Sequence, residues 1–262
     1  MSDTTNELAR TQDGAVLTLT LSREHARNSL SPSLVASLVA ALKDAAADSS
    51  VRVVVLTGAG SKAFCAGGDL GSGLMDDGML AAHEGRRGYA TLLHTLSTLE
   101  KPTVAKVNGL ALAGGLGLVC GCDLVVAAED AQFGTPEVNV GLFPYMVTAL
   151  LFRQVPQKHA MEMVLTGRRY TAPEAERLGL VNRVVPREKL DEETSKLANE
   201  LAGKSPAILR LGKRAVQKTR DLALDPALEL LAAQLSLNTL AEDAAEGVSA
   251  FLEKRPPEWK GK

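Results

Sequence analysis

Short apolar segments that run directly into glycine constrain this chain more than any other feature. Residues 51–57 (VRVVVLT) are β-branched and end in Gly58-Ala59-Gly60. Residues 103–108 (TVAKVN) follow Pro102 and open a glycine-rich stretch from Gly109 to Gly117. A helix is predicted over 115–121, and residues 123–128 (DLVVAA) make the next short strand. Earlier in the chain, residues 15–22 (AVLTLTLS) alternate apolar residues with Thr, the period of a half-buried strand. Pro32 opens a helix to about Asp48, with Ser31 as N-cap and Leu34, Val35, Leu38, Val39 and Leu42 at helical spacing. Residues 60–78 read as a loop of small residues, and 79–99 as a helix carrying Leu80, Leu92, Leu93 and Leu96. Strands and helices alternating at these lengths predict an α/β sheet of repeated crossover units.

After Pro144 the pattern changes. Residues 145–220 read as helices punctuated by Pro156, Pro173, Pro186 and Pro206, with one short strand over 181–185. Residues 226–254 read as one long C-terminal helix, with Leu228, Leu231, Leu235, Leu240 and Phe251 on or near one stripe. Neither an internal repeat nor a low-complexity linker is evident. The expected organisation is an α/β core over 1–195 followed by a helical region over 196–262.

Composition narrows the function. The 29 Lys and Arg against 31 Asp and Glu leave a net charge of −2, which argues against an extended phosphate-binding face. Aromatics are 3% of the chain, too few for base-stacking platforms, so no nucleic-acid partner is expected. The apolar runs are broken by glycine and polar residues before they reach membrane-spanning length, so no membrane partner is expected either. The start of the chain, Met1 to Glu7, is polar and acidic, unlike a secretory leader. Cys65, Cys120 and Cys122 cannot all pair with one another. The Cys120-Gly121-Cys122 spacing is too tight for a C-x2-C zinc pair, and no His is nearby in sequence. Free buried thiols, no metal site and a cytoplasmic location are the expectation.

Three segments carry candidate chemistry. The first is Ala63-Phe64-Cys65-Ala66-Gly67-Gly68-Asp69-Leu70, a short way past a strand. The second is Val107-Asn108-Gly109-Leu110-Ala111-Leu112-Ala113-Gly114-Gly115-Leu116-Gly117, between a strand and a helix. It lacks both G-x-G-x-x-G and the Gly-Lys-Ser/Thr ending of a P-loop, so nucleotide binding is not supported. Glycine at a helix start leaves backbone N–H groups open to a ligand, and two such groups from separate loops can hold an oxyanion. Tight helix–strand packing is the other reading of the same glycines, and composition alone favours it. The third segment runs from Asp130 to Val138 and contains Thr135-Pro136-Glu137. In its apolar surroundings Glu137 is expected to hold its proton more tightly than usual, suiting it to proton transfer. A surface Glu at a turn is the other reading.

Together these segments resemble the crotonase superfamily, the enoyl-CoA hydratase/isomerase family. The resemblance runs from about Ala15 to Lys260. It extends through Met161-Glu162-Met163-Val164-Leu165-Thr166-Gly167, Ala175-Glu176-Arg177-Leu178-Gly179-Leu180-Val181-Asn182 and Ser249-Ala250-Phe251-Leu252-Glu253-Lys254-Arg255. It implies a crotonase-like spiral of ββα repeats, a helical C-terminal oligomerisation region, and homotrimers that often pair into hexamers. It also implies an acyl-CoA thioester substrate, with no cofactor beyond the coenzyme A that the substrate carries. The oxyanion hole maps to the N–H groups of Gly68 and Gly114, and the acid/base to Glu137. Ala63, Ala66, Asp69, Leu70, Tyr145, Phe251 and Lys254 map to substrate and CoA binding, the last two often toward a neighbouring subunit.

One departure bears on the reaction. Well-studied hydratases of the family carry two glutamates, and the position of the first is Gly117 here. Tyr145 also stands where such hydratases have glycine. The resemblance therefore implies an enoyl-CoA hydratase working through a thioester enolate with Glu137, or alternatively a double-bond isomerase using Glu137 alone. A hydrolase, a decarboxylase and a non-catalytic acyl-CoA-binding protein are more distant readings. Asp76, Asp77, His83, Glu84, Tyr89 and Tyr145 are the residues at hand for a second catalytic group.

Overall fold

A computed structural model describes residues 7–69 and 78–262. The first two strands, β1 (Leu8–Asp13) and β2 (Val16–Leu21), form an antiparallel hairpin. In β2 the leucines point inward and the threonines are half-buried, as the period-two pattern predicts. Helix α1 (Pro32–Ala47) follows, and the Ser31 side chain accepts the Leu34 N–H at 3.1 Å.

The chain then winds through repeats in which one strand joins a large sheet and the next joins a small one. The first is β3 (Val53–Gly58), β4 (Ala63–Cys65) and α2 (Gly78–Ser97). The second is β5 (Thr103–Val107), β6 (Leu110–Leu112) and α3 (Gly114–Gly121). The third is β7 (Leu124–Ala128), β8 (Gln132–Gly134), a 3-10 turn over Pro136–Val140, and α4 (Tyr145–Leu151). Beyond it come α5 (Gln157–Thr166), β9 (Arg169–Thr171), α6 (Ala172–Arg177) and β10 (Arg183–Val185). The large sheet has the order β1-β2-β3-β5-β7-β10 and the small one β4-β6-β8-β9. This is the expected spiral of ββα units.

Glycine makes the corner between the sheets possible. A Cβ on Gly58 would lie 2.3 Å from the Phe64 carbonyl oxygen, and one on Gly109 would lie 2.5 Å from that of Lys62. Two asparagines occupy the carbonyls that such corners expose. Asn28, fully buried, donates to the carbonyls of Ala59 and Ala63 at 2.9 and 2.8 Å. Asn108 donates to those of Gly58 and Gly60 at 2.8 and 2.6 Å. Backbone oxygens that would otherwise be buried unpaired are thereby satisfied.

All six residues of β3 are buried, as expected of a parallel strand covered on both faces. Helices α1, α2 and α3 cover one side. On the other, α7 (Leu190–Ala202) lays Leu190, Leu197 and Ala198 against Val53, Val55, Val104 and Val126. It runs through residue 195 and belongs to the packing of the large sheet.

The predicted C-terminal helix over 226–254 is corrected. It is two helices, α9 (Leu224–Asn238) and α10 (Glu242–Glu253). The buried Asp243 accounts for the break. Its carboxylate accepts the Ser205 hydroxyl at 2.5 Å and the Lys260 N–H at 2.7 Å, and also the Gly261 N–H. Ser205 in turn caps α8 (Pro206–Thr219). The start of α10 is thus fixed by the tail and by α8, not by the leucine stripe of α9. The loop expected over 60–78 contains β4, and β1, β6, β8 and β9 also lie outside the predicted strands.

All three cysteines are free and buried. Burial pushes the thiols of Cys65 and Cys120 up to about 12, which makes them inert packing groups at neutral pH. Among the described residues no helix is long and apolar enough to cross a membrane.

Candidate active site

Strands β4, β6 and β8 are neighbours and parallel, so their carboxyl ends lie side by side. Each continues into one of the three segments singled out above. β4 leads to Gly67 and Gly68, β6 to Ala113 and Gly114, and β8 to Pro136 and Glu137. In parallel α/β sheets this is the end at which ligands bind.

The first two segments touch. Gly67 has φ +106°, and a Cβ on it would lie 2.6 Å from the Ala113 Cβ and 3.4 Å from the Gly114 nitrogen. Gly68 makes a parallel bridge with Leu30. The Leu30 N–H donates to the Gly67 carbonyl at 2.8 Å, and the Asp69 N–H donates to the Leu30 carbonyl at 3.1 Å. The intervening Gly68 N–H faces away from that bridge. In α3 the N–H groups of Leu116 and Gly117 both donate to the Ala113 carbonyl, leaving those of Gly114 and Gly115 at the helix start. Ala113 holds this corner at φ 53°, ψ −125°, a conformation that favours glycine and that local packing must enforce. Two loops that each carry an open backbone N–H are therefore packed against each other.

Glu137 comes from the 3-10 turn. Pro136 starts the turn, Gly141 ends it at φ 76°, and the Thr135 hydroxyl pins it to the Met163 carbonyl at 3.1 Å. One carboxylate oxygen, Oε2, is buried without a hydrogen-bond partner. Burial raises the Glu137 pKa above the ordinary glutamate value, partly offset by a hydrogen bond from its own backbone N–H.

Tyr89 closes the group. It stands on α2, and its hydroxyl donates to the Gly114 carbonyl at 2.7 Å. A Cβ on Gly117 would lie 2.1 Å from the Tyr89 oxygen, so the phenol fills the space that a side chain at 117 would need. Burial, together with the neighbouring Cys65, Cys120 and Glu137, pushes this phenol well above the usual tyrosine range.

Other expected residues are placed as follows. Ala63 is buried in β4 with its carbonyl bound to Asn28, and Ala66 donates its N–H to the Arg27 carbonyl at 3.1 Å. Asp69 pairs with Arg23 at 2.8 Å, and Arg23 pairs with Glu7 at 2.6 Å. Tyr145 begins α4 with an exposed ring 5.1 Å from that of Phe143, and its N–H donates to the Phe143 carbonyl at 2.8 Å. Phe251 and Lys254 stand exposed at the far end of α10, which packs on α8. His83 and Glu84 are exposed, and Glu84 pairs with Arg87. Leu70, Asp76 and Asp77 lie outside the described residues. Sequence reasoning missed Arg23 and Asn28, which brace the loop before α1. Two polar residues between a buried strand and a capped helix were the available signal.

Residues 11–262 match the family model described as Enoyl-CoA hydratase/isomerase. This chain belongs to the enoyl-CoA hydratase/isomerase family. It is 38% identical over 258 residues to the 2,3-dehydroadipyl-CoA hydratase of Escherichia coli, covering 98% of this chain and 100% of that one. It is 33% identical over 255 residues to the short-chain-enoyl-CoA hydratase of Clostridium acetobutylicum, covering 95% of this chain and 96% of that one. Among solved structures, the enoyl-CoA hydratase of Bacillus anthracis superposes with a TM-score of 0.94 at 34% identity, covering 98% of this chain and 100% of that chain. The crotonase fold and enzymatic character expected from the sequence hold.

Proposed function

We propose that this member of the family is an enoyl-CoA hydratase in which Glu137 is the acid/base. The observation that carries the reading is a buried carboxylate with an unpartnered oxygen, on the same row of strand ends that carries two open backbone N–H donors. The names of the relatives described above support hydration over other family reactions.

The chemistry follows from the groups present. The thioester carbonyl of a 2-enoyl-CoA accepts hydrogen bonds from the N–H groups of Gly68 and Gly114. Glu137, ionised, takes a proton from a water as the water oxygen bonds to C3. The C2=C3 electron pair moves toward C1 and the negative charge gathers on the thioester oxygen. Each well-placed donor stabilises that charge by about 3–4 kcal/mol. Glu137 then returns its proton to C2, so that the net change is addition of H and OH across the double bond. A raised pKa suits both halves, because the group must accept and release a proton near neutral pH.

The alternative is isomerisation, in which Glu137 moves a proton between two carbons of the enoyl chain without water. The glycine at 117, which leaves Glu137 without a second carboxylate at that position, favours it.

Coenzyme A arrives on the substrate, and the reading calls for no cofactor and no metal. Ala63, Ala66, Asp69 and Leu70 on one loop, and Tyr145 on another, are assigned to substrate and CoA. Phe251 and Lys254 are assigned to the CoA of a neighbouring subunit in a homotrimer or hexamer. A cytoplasmic location fits the three free thiols.

Glu137→Gln tests the reading. It lowers turnover of the true substrate at least about 100-fold, the usual worth of general acid–base catalysis, while acyl-CoA still binds. Wild-type turnover in that variant would show the assignment of Glu137 to be wrong.

A further inference from the structure

We propose that the Tyr89 hydroxyl is a water-holding group of this active site, taking the place that a side chain at position 117 would otherwise fill. The inference rests on the hydratase reading above and extends it to a second residue.

Geometry and charge converge on Tyr89. Its oxygen lies 2.1 Å from where a Gly117 Cβ would be, so the two cannot share that space. Its proton is committed, donated to the Gly114 carbonyl at 2.7 Å. The residue it touches, Gly114, carries the N–H assigned above to the thioester oxygen. The Glu137 charge also reaches the phenol. Of the other groups considered for this role, His83 and Glu84 are exposed on α2, and the Tyr145 ring is exposed on α4.

The chemistry is set by which atoms remain free. With its proton on the Gly114 carbonyl, the Tyr89 oxygen presents lone pairs, not a donor. It therefore accepts a hydrogen bond from one O–H of the reacting water, while Glu137 takes the proton of the other. Tyr89 is no base, because burial keeps it protonated far above neutral pH. On the protein side, Glu137 is the group that changes charge in the cycle.

A purely structural role for Tyr89 makes a different prediction. If it only braced Gly114, its loss would weaken the oxyanion hole and slow every enolate-forming reaction alike. Exchange of the α-protons of a saturated acyl-CoA with deuterated water separates the two. That exchange needs Glu137 and the oxyanion hole, but no attacking water.

The test compares wild type, Tyr89→Phe and Gly117→Ala for hydration of 2-butenoyl-CoA and α-proton exchange of butanoyl-CoA. The water-holding role predicts that Tyr89→Phe loses at least about 10-fold more in hydration kcat than in exchange rate, with KM changed less than about threefold. Gly117→Ala, whose methyl displaces the phenol, gives the same selective loss and serves if Tyr89→Phe folds poorly. Equal losses in both reactions, or a hydration kcat within twofold of wild type, overturn the inference and leave the hydratase reading standing. A wild-type enzyme that exchanges α-protons but adds no water to enoyl-CoA overturns both.

Discussion

At the scale of single residues, the site depends on one carboxylate kept in an unfavourable environment. Glu137 loses hydration on folding, and one of its oxygens finds no partner. Its pKa is therefore raised in the native chain. Between the unfolded glutamate value, about 4.3, and that raised value, the native state binds more protons than the unfolded one. The stability this group contributes is full below the unfolded value and is lost as pH rises through the native one. Glu137→Gln keeps the shape and escapes the loss. At neutral pH the variant melts higher than wild type, by up to a few degrees (~2–4 °C is the usual response of a chain of this size to one such change). The gap closes below the unfolded value. Thermal melts of both proteins across the acid range check this, and a gap that does not change with pH would contradict it. Ala113 belongs to the same scale, because its positive φ places strain at the corner that aims the Gly114 N–H.

At the scale of elements, legibility followed periodicity. β2, β3, β5 and β7 carry runs of alternating or β-branched residues, and Ser31-Pro32 marks the start of α1 in the sequence itself. The strands of the small sheet are three residues each, set among Gly and Ala, and have no period to read. β4 and β6 exist because β3 and β5 end at corners that Gly58, Gly109 and two asparagine side chains permit, while β7 turns into β8 through Glu129-Asp130-Ala131, where Asp130 pairs with Arg187. The break between α9 and α10 was hidden for a related reason. Asp243 finds its partners at Ser205, Lys260 and Gly261, far away in the chain. Burial works against its charge, yet those donors hold its carboxyl below the ordinary aspartate range. The three segments of the site were legible as glycines and a Pro-Glu pair. The contact between Gly67 and Ala113, and the phenol beside Gly117, arise where separate turns of the spiral pack together. Sequence spacing carries no record of such meetings.

At the scale of the whole molecule, the C-terminal helices leave many large apolar side chains open. Leu228 and Leu235 on α9 are 56% and 66% exposed, Val248 and Phe251 on α10 are 62% and 81% exposed, and Leu240 between them is 79% exposed. Exposed apolar side chains clustered on the last two helices in this number point to an interaction face. The homotrimer or hexamer proposed above would cover it and bring Phe251 and Lys254 toward a neighbour's substrate. The mass in dilute solution checks this: three or six chains are expected, and a stable monomer would contradict it.

The central claim is that water adds to the substrate, with Glu137 moving its proton. The most direct measurement is the fate of solvent oxygen when 2-enoyl- and 3-enoyl-CoA are each incubated with the enzyme in water enriched in heavy oxygen. The account predicts a 3-hydroxyacyl-CoA carrying one heavy oxygen. A shift of the double bond with no heavy oxygen in any product would contradict it and establish the isomerase in its place.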